Sequence, residues 1–463
     1  MDAGDAGAVV QESRFLLKIA WDLVRRTRLI GQHLAPSPET FLQFRTLQKE
    51  RRRMFANIAA RLPRYSHTII EFQNAPLLAN HSWIPHVPVR LMAPKDDLSD
   101  DDNQFITTYI DESANRYLIG DYQASEVTNR IKQLLPSAKG SAYTSLSKAI
   151  IALESPDPER FKSRPSYSLS NVFHDNKNGI KLSFRKAYYF DYIDCGELLA
   201  LELIREFRFV GEADRLRILR ANPTSAVTRD LFRKLDKRLK LRSLLGEWCD
   251  VGRRPSVAGV NMLTVFQDRD TGEATFPMMK RSSLIGSAAG TVHVIPAGEF
   301  QPTSDAPPDW FLHCTLWQTI LRETAEELLN HPEAESHSMQ MEELAKTEPV
   351  ASMLKMIRNG KWKTYFLGLG LDPLTLKPEI LVSSVIDLHD FRVAFKDYLP
   401  KGELPREDSE GDIHRTGSGW GACLSLKNLC IYRDDPNALP AASGCIELFV
   451  RSAPTILGHA LPD

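Results

Sequence analysis

The chain has 463 residues, 43% hydrophobic and 25% charged, which is ample for a large core and excludes disordered and fibrous classes. With 58 basic against 59 acidic residues the formal net charge is −1, so the molecule as a whole lacks the positive field that favours non-specific nucleic-acid binding. The opening Met1-Asp2-Ala3-Gly4-Asp5, followed by Lys18, Asp22, Arg25 and Arg26, fits neither a signal peptide nor a membrane span; a cytoplasmic protein without membrane association is expected. The six cysteines (Cys195, Cys249, Cys314, Cys423, Cys430, Cys445) form no CxxC pair and have no histidine at zinc-ligand spacing, so most are expected to be buried thiols rather than disulfides or metal ligands.

Three regions are expected: a mainly helical one over residues 1–165, a hairpin and helical connection over 166–254, and an α/β domain over 255–463. Apolar spacing predicts an antiparallel pair of helices, Glu12 to Leu34 and Phe41 to Leu62, the second opened by Ser37 as cap and Pro38 in the first turn. Ser82 to Val89 is proline-punctuated and extended. Asp96 to Asp102 reads as a solvated loop, because it lacks the glycine and distal glutamate of a calcium loop. Between Tyr167 and Tyr192 two strand-like runs flank Asn178-Gly179, a hairpin turn signal. A helix is predicted from Gly196 to Phe207. Arg229 to Arg242 follows, where Leu231, Phe232, Leu235, Leu239 and Leu241 would anchor an amphipathic helix whose Arg233, Lys234, Lys237, Arg238 and Lys240 form a solvated face or, alternatively, a phosphate-binding one.

After Pro255 the texture changes. Val260 to Phe266, Thr275 to Arg281 and Thr291 to Ile295 read as strands, with Asp270-Thr271-Gly272 as a turn and Pro296-Ala297-Gly298 closing the third. A long helix is predicted from Trp310 to Asn330, stopped by His331-Pro332, and then two paired strands, Tyr365 to Leu369 and Ile380 to Ile386. The fold class predicted is α/β (α+β), a sandwich on a mixed sheet preceded by the helical region. There is no internal repeat and no low-complexity tract.

On a helical wheel Trp317, Ile320, Leu321, Thr324 and Leu328 form one stripe that should face the core. Glu323 and Glu327 share a face beside it, with Glu326 a step further round, so three carboxylates gather on one side. Like charges at this spacing call for a positive partner. Arg322 answers part of that, and a divalent cation, which takes carboxylate oxygens, would answer the rest. The plain alternative is an exposed acidic helix face.

Arg322-Glu323-Thr324-Ala325-Glu326-Glu327-Leu328-Leu329 resembles the second half of the Nudix box, and Pro296-Ala297-Gly298-Glu299 resembles the glycine turn that precedes it. The resemblance implies a Nudix-like α/β/α sandwich over 255–463 and a Mg²⁺ (or Mn²⁺) cofactor. It makes Glu323 and Glu327 metal ligands, Glu326 a further ligand or the activator of water, Arg322 an orienting partner, and the Gly298 carbonyl a group within reach of the metal. The implied reaction is attack of water on a pyrophosphate linkage of a nucleoside diphosphate derivative. The sequence departs from the pattern in three places: an insertion within Phe300 to Phe311, Cys314 where a glutamate is expected, and Leu329 where a glycine is expected. The rival function is therefore a non-catalytic nucleotide sensor or transcription-associated regulator with a degenerate Nudix domain. The Pro-Ala-Gly-Glu-Phe-x-Pro run followed by Glu-Glu-Leu-Leu is also similar to long bacterial proteins, many of them with unassigned or regulatory roles. The two functions separate on geometry: carboxylates converging on one cleft favour catalysis, whereas Cys314 and Leu329 filling it favour the sensor.

No GxxxxGK[ST] loop occurs, and Gly286-Ser287-Ala288-Ala289-Gly290 is not a nucleophile elbow. Lys280 and Arg281, ending a strand, are candidate contacts for a substrate phosphate. His293 and His313 are candidate acids or bases, and Glu379 a candidate extra acidic group, each against the plainer structural role. Nucleic-acid binding through Arg229 to Arg242 or Arg51-Arg52-Arg53 is not favoured by the near-neutral charge, and a homo-oligomer is left open.

Overall fold

The computed structural model describes residues 35–65, 75–94, 106–110, 124–138, 141–158, 161–174, 180–220, 226–281, 291–302, 314–329, 331, 345–398, 411–414 and 421–463. The expected helix Glu12 to Leu34, the acidic loop Asp96 to Asp102 and His313 lie outside these residues.

Helices dominate the first half. The run expected as one helix divides at Arg51 into α1 (Pro38–Glu50) and α2 (Arg52–Ala60). Ser37 caps α1 by accepting from the Thr40 amide at 3.2 Å, with Pro38 in the first turn. Strands β1 (Val89–Arg90) and β2 (Ile106–Ile110) follow, then α3 (Ala124–Leu134) and α4 (Leu146–Glu154). The predicted hairpin is β3 (Pro165–His174) with β4 (Ile180–Tyr188), and β2 joins it in parallel register on β4. A π-turn over Ile193–Glu197 leads into α5 (Leu198–Arg208), in which every residue from Leu198 to Phe207 is buried. An α-helix buried on all sides must pair its charges: Glu202 and Glu206 both take Arg130 at 2.8 Å, and Glu206 takes Arg238 at 2.9 Å. Three further helices, α6 (Glu212–Arg220), α7 (Ala226–Asp236) and α8 (Lys240–Leu244), complete this half; the predicted amphipathic helix is thus split in two.

The second half is mixed α/β. Strands β5 (Gly259–Gln267), β6 (Ala274–Phe276), β7 (Met278–Arg281), β8 (Val292–Val294) and β9 (Ala297–Glu299) precede helix α9 (Leu316–Glu323). Then come α10 (Val350–Arg358), β10 (Trp362–Leu371), β11 (Pro378–Asp387), α11 (Leu388–Ala394), β12 (Gly411–His414), β13 (Ala422–Cys423), α12 (Leu426–Asp434) and α13 (Pro440–Leu457). A seven-stranded sheet runs β1-β10-β11-β5-β6-β13, with β9 also on β5. Its central pair, β5 and β11, is parallel in register from Gly259↔Glu379 to Gln267↔Asp387. Strands β8, β7 and β12 make a separate three-stranded sheet.

Both faces of the large sheet are covered, which explains why its central strands read as continuous apolar runs. On one face Val260, Met262, Phe266, Val382 and Ile386 pack in a core with Trp317, Ile320 and Leu321 of α9, Met353 and Leu354 of α10, and Phe391 of α11. On the other, Leu263, Val265 and Leu381 meet Cys445, Ile446 and Phe449 of α13. The two halves share this sheet: β1 is its edge strand, Leu78 bridges Leu371, and the Tyr167 amide donates to the Phe300 carbonyl at 3.0 Å.

Candidate functional site

The apolar stripe on α9 is buried as its spacing requires: Trp317, Ile320, Leu321, Thr324 and Leu328 are all at most 2% exposed. The predicted long helix differs in its second part. After Glu323 the chain widens into a π-turn over Thr324–Leu328, which re-aims Glu326 and Glu327 relative to an ideal wheel. The stretch expected as a glycine turn is also different. Ala297 to Glu299 is strand β9, paired with Asn261, Val260 and Gly259 of β5, so the motif strand is an element of the main sheet.

Helix and strand are pinned by the motif side chains. Arg322 Nη2 donates to Glu323 Oε1 at 2.6 Å and to the Glu299 carbonyl at 3.2 Å, and Arg322 Nε lies 4.0 Å from Glu326 Oε1. Glu327 Oε2 accepts from the Ala297 amide at 2.8 Å. Gly298 lies flat against the Glu323 carboxylate, and a Cβ there would overlap it. Glycine here gives the Glu323 carboxylate its place against the strand; a larger residue would displace that side chain.

The ion implied by the resemblance, Mg²⁺ or Mn²⁺, requires carboxylates grouped around one point. Among the described residues no three His, Cys, Asp or Glu side chains are grouped to hold a metal ion. The contacts show why: Glu323 is turned to Arg322 and Glu327 to a strand amide. As arranged, the motif carboxylates do not make a ligand set. Cys314 and Leu329, the two positions whose residue type departs from the expected pattern, are both buried in the core that holds α9.

A second charged group adjoins the first through Glu299, whose carboxylate Oε1 takes Lys377 Nζ at 2.6 Å. Asn261 Nδ2 donates to Glu379 Oε2 at 2.8 Å, and Gly259 leaves room for that carboxylate. Burial pushes Glu379 up to about 7 against the pull of Lys377 and Asn261. Burial alone would lower Lys377, but Glu299 and Glu379 hold it well above its ordinary value. Lys377 also lies 5.4 Å from the centre of the Tyr192 ring.

This group is anchored by the first half of the chain. Arg52 joins Glu197 at 2.9 Å and Asp372 at 3.1 Å, and Tyr192 donates to Glu197 at 2.9 Å. Arg242 donates to Tyr65 Oη at 2.6 Å and to the Pro373 and Leu374 carbonyls, and Arg254 reaches the Leu376 carbonyl. The connection between β10 and β11 is thus gripped from three sides.

The other candidates fall elsewhere. Lys280 is exposed on β7, in the separate sheet, and no contact among the described residues joins it to the motif glutamates. Arg281 ends that strand, and its side chain is outside the described residues. His293 is buried, with Nδ1 at 3.0 Å from the Val294 carbonyl. Of the six cysteines, most of which were expected to be buried, only Cys314 and Cys445 are; Cys195, Cys249 and Cys430 are half-buried, and Cys423 is exposed. Glu379 was expected only as an accessory group; its partners Lys377 and Asn261 were not expected at all. A polar Asn261 inside the apolar run Val260 to Phe266 is the signal that could have found one of them. No described helix is long and apolar enough to cross a membrane. Against known protein families and against curated proteins, the chain has no match.

Proposed function

We propose that residues 255–463 form a Nudix-type module that binds a nucleoside diphosphate derivative as a non-catalytic sensor, and that the first half of the chain carries its regulatory output. A cytoplasmic location goes with this reading. One observation carries it: the motif glutamates are committed to protein contacts, Glu323 to Arg322 and Glu327 to the Ala297 amide, instead of converging on one ligand position. The burial of Cys314 and Leu329 in the adjoining core supports the same reading.

The metal-dependent hydrolase is the second reading, favoured by the contact of Gly298 with Glu323, which sets strand, glycine and glutamate in the order that the Nudix box implies. Calorimetry with ADP-ribose, nucleotide sugars and dinucleotides, run beside assays for phosphate-containing products with Mg²⁺ or Mn²⁺, separates the two. Binding without turnover, unchanged by the metal, is expected. Turnover that disappears in Glu326→Gln and Glu327→Gln would replace the sensor with the hydrolase, and no binding at all would remove both.

A further inference from the structure

The near-neutral total conceals a segregated charge. Between residues 201 and 244 there are 12 basic and 6 acidic residues, whereas the chain as a whole carries −1. Most of the acids are already engaged. Glu202 and Glu206 are buried against Arg130 and Arg238, Asp214 takes Arg217, and Asp236 takes Arg64. Asp230 takes Lys234 at 2.9 Å and Arg233 at 3.5 Å. Arg229, Lys237 and Lys240 are exposed and form no ion pair among the described residues.

Their placement is regular. Arg229, Arg233 and Lys237 are four residues apart, about 6 Å of helix rise per step, so they fall on one face. The helical path continues past the end of α7, since the Lys237 amide donates to the Arg233 carbonyl at 3.1 Å, and Lys240 opens α8 just beyond. Arg64 bonds the Asp236 carbonyl and Ser243 Oγ, which holds the segment bearing the exposed Arg61 beside the same end of α7.

We propose that this face, Arg229, Arg233, Lys237 and Lys240, is a nucleic-acid-binding surface that grips backbone phosphates. The apolar face of α7 is spent, with Leu231, Phe232 and Leu235 buried in the core, so the helix has nothing to insert into a bilayer. A protein partner would need an aromatic or aliphatic anchor at the centre of the patch, and Val227, at the far end of α7, is its one exposed large apolar residue. A row of long cations, three of them four residues apart, without a central apolar anchor suits a phosphate backbone, which asks for charge and reach rather than shape. The inference stands apart from the nucleotide-binding module.

Fluorescence anisotropy of the full chain with a labelled 20-base-pair duplex of arbitrary sequence, and with a single-stranded RNA of the same length, tests it. Three or four phosphate contacts predict a fall in duplex affinity of roughly 40- to 150-fold between 50 and 200 mM salt. Arg229→Glu/Lys237→Glu/Lys240→Glu should bind at least tenfold more weakly with an unchanged circular dichroism spectrum, and the matching Gln triple should lie between. Absence of binding to either probe at 50 mM salt, equal affinity in the Glu triple, or equally tight retention on vesicles with 30% phosphatidylserine would overturn the proposal.

Discussion

Two charged regions meet at Glu299, whose carboxylate takes Lys377 and whose carbonyl takes Arg322, and they spend their charge differently. In the connection between β10 and β11, Asp372 and the backbone carbonyls of Pro373, Leu374 and Leu376 are matched by Arg52, Arg242 and Arg254 in a nearly dry setting. At the end of α9, Glu323 and Glu326 share Arg322, with side chains 12% and 21% exposed. Dehydrated charge held by several partners gives a single rigid arrangement, and removing one member leaves its partners with fewer. Carboxylates that keep some contact with water rearrange at a lower cost, because water substitutes in part for the lost partner. The connection is therefore the more rigid of the two regions, and the end of α9 the more adaptable.

The largest expected effect lies in the more rigid region. Burial opposes the charge of Arg52, yet Glu197 and Asp372 more than offset it and hold its pKa well above the ordinary value. Arg52→Ala takes from Asp372 its ion pair and leaves Glu197 to Arg45, Gln48 and Tyr192; it should cost about 3 kcal/mol, read as a lower urea midpoint. A shift below 1 kcal/mol would erase the contrast between the two regions.

The next effect concerns pH. Glu379 titrates at about 7 in the folded chain against an ordinary 4.5, so the native state binds the extra proton between those values. Its contribution to stability is full below about pH 4.5 and declines as pH rises to 7, by at most about 3 kcal/mol. Glu379→Gln should remove that decline, so the difference in unfolding free energy between variant and natural protein should grow in the variant's favour from pH 5 to 7. Parallel profiles would mean that Glu379 is charged throughout.

At the motif, Gly298→Ala drives a methyl group into the Glu323 carboxylate. The expected cost is about 1–3 kcal/mol, with a matching loss of nucleotide affinity in calorimetry. Smallest is Glu327→Gln, whose amide oxygen still accepts from Ala297; less than about 1 kcal/mol is expected in thermal unfolding. A larger loss there than for Arg52→Ala would reverse the assignment of rigid and adaptable region.

Much of the second half was legible because its signals are local. The runs Val260 to Phe266, Tyr365 to Leu369 and Ile380 to Ile386 announce β5, β10 and β11, and the α9 stripe announces its buried face. The Ser37-Pro38 start and the turn at Gly272, with φ +73°, follow from residue chemistry alone. The arrangement of the motif was less legible. A wheel assumes an unbroken α-helix, and the π-turn at Thr324 moves Glu326 and Glu327 away from that geometry. A proline and a glycine in Pro296-Ala297-Gly298 suggest a turn, but pairing with β5 makes the segment a strand, and that pairing is a contact between segments.

Composition, periodicity and capping residues thus determined which segments form helices and strands and which faces they bury, since these depend on neighbours within a few positions along the chain. Only the tertiary structure decided that β1 would edge a sheet built mostly from the second half, that β5 and β11 would lie parallel, and that Lys377 would meet Glu299 beneath Tyr192. Each of these joins residues far apart in sequence, whose proximity depends on burying two apolar sheet faces at once and on giving hydrogen-bond partners to the charges that burial strips of water.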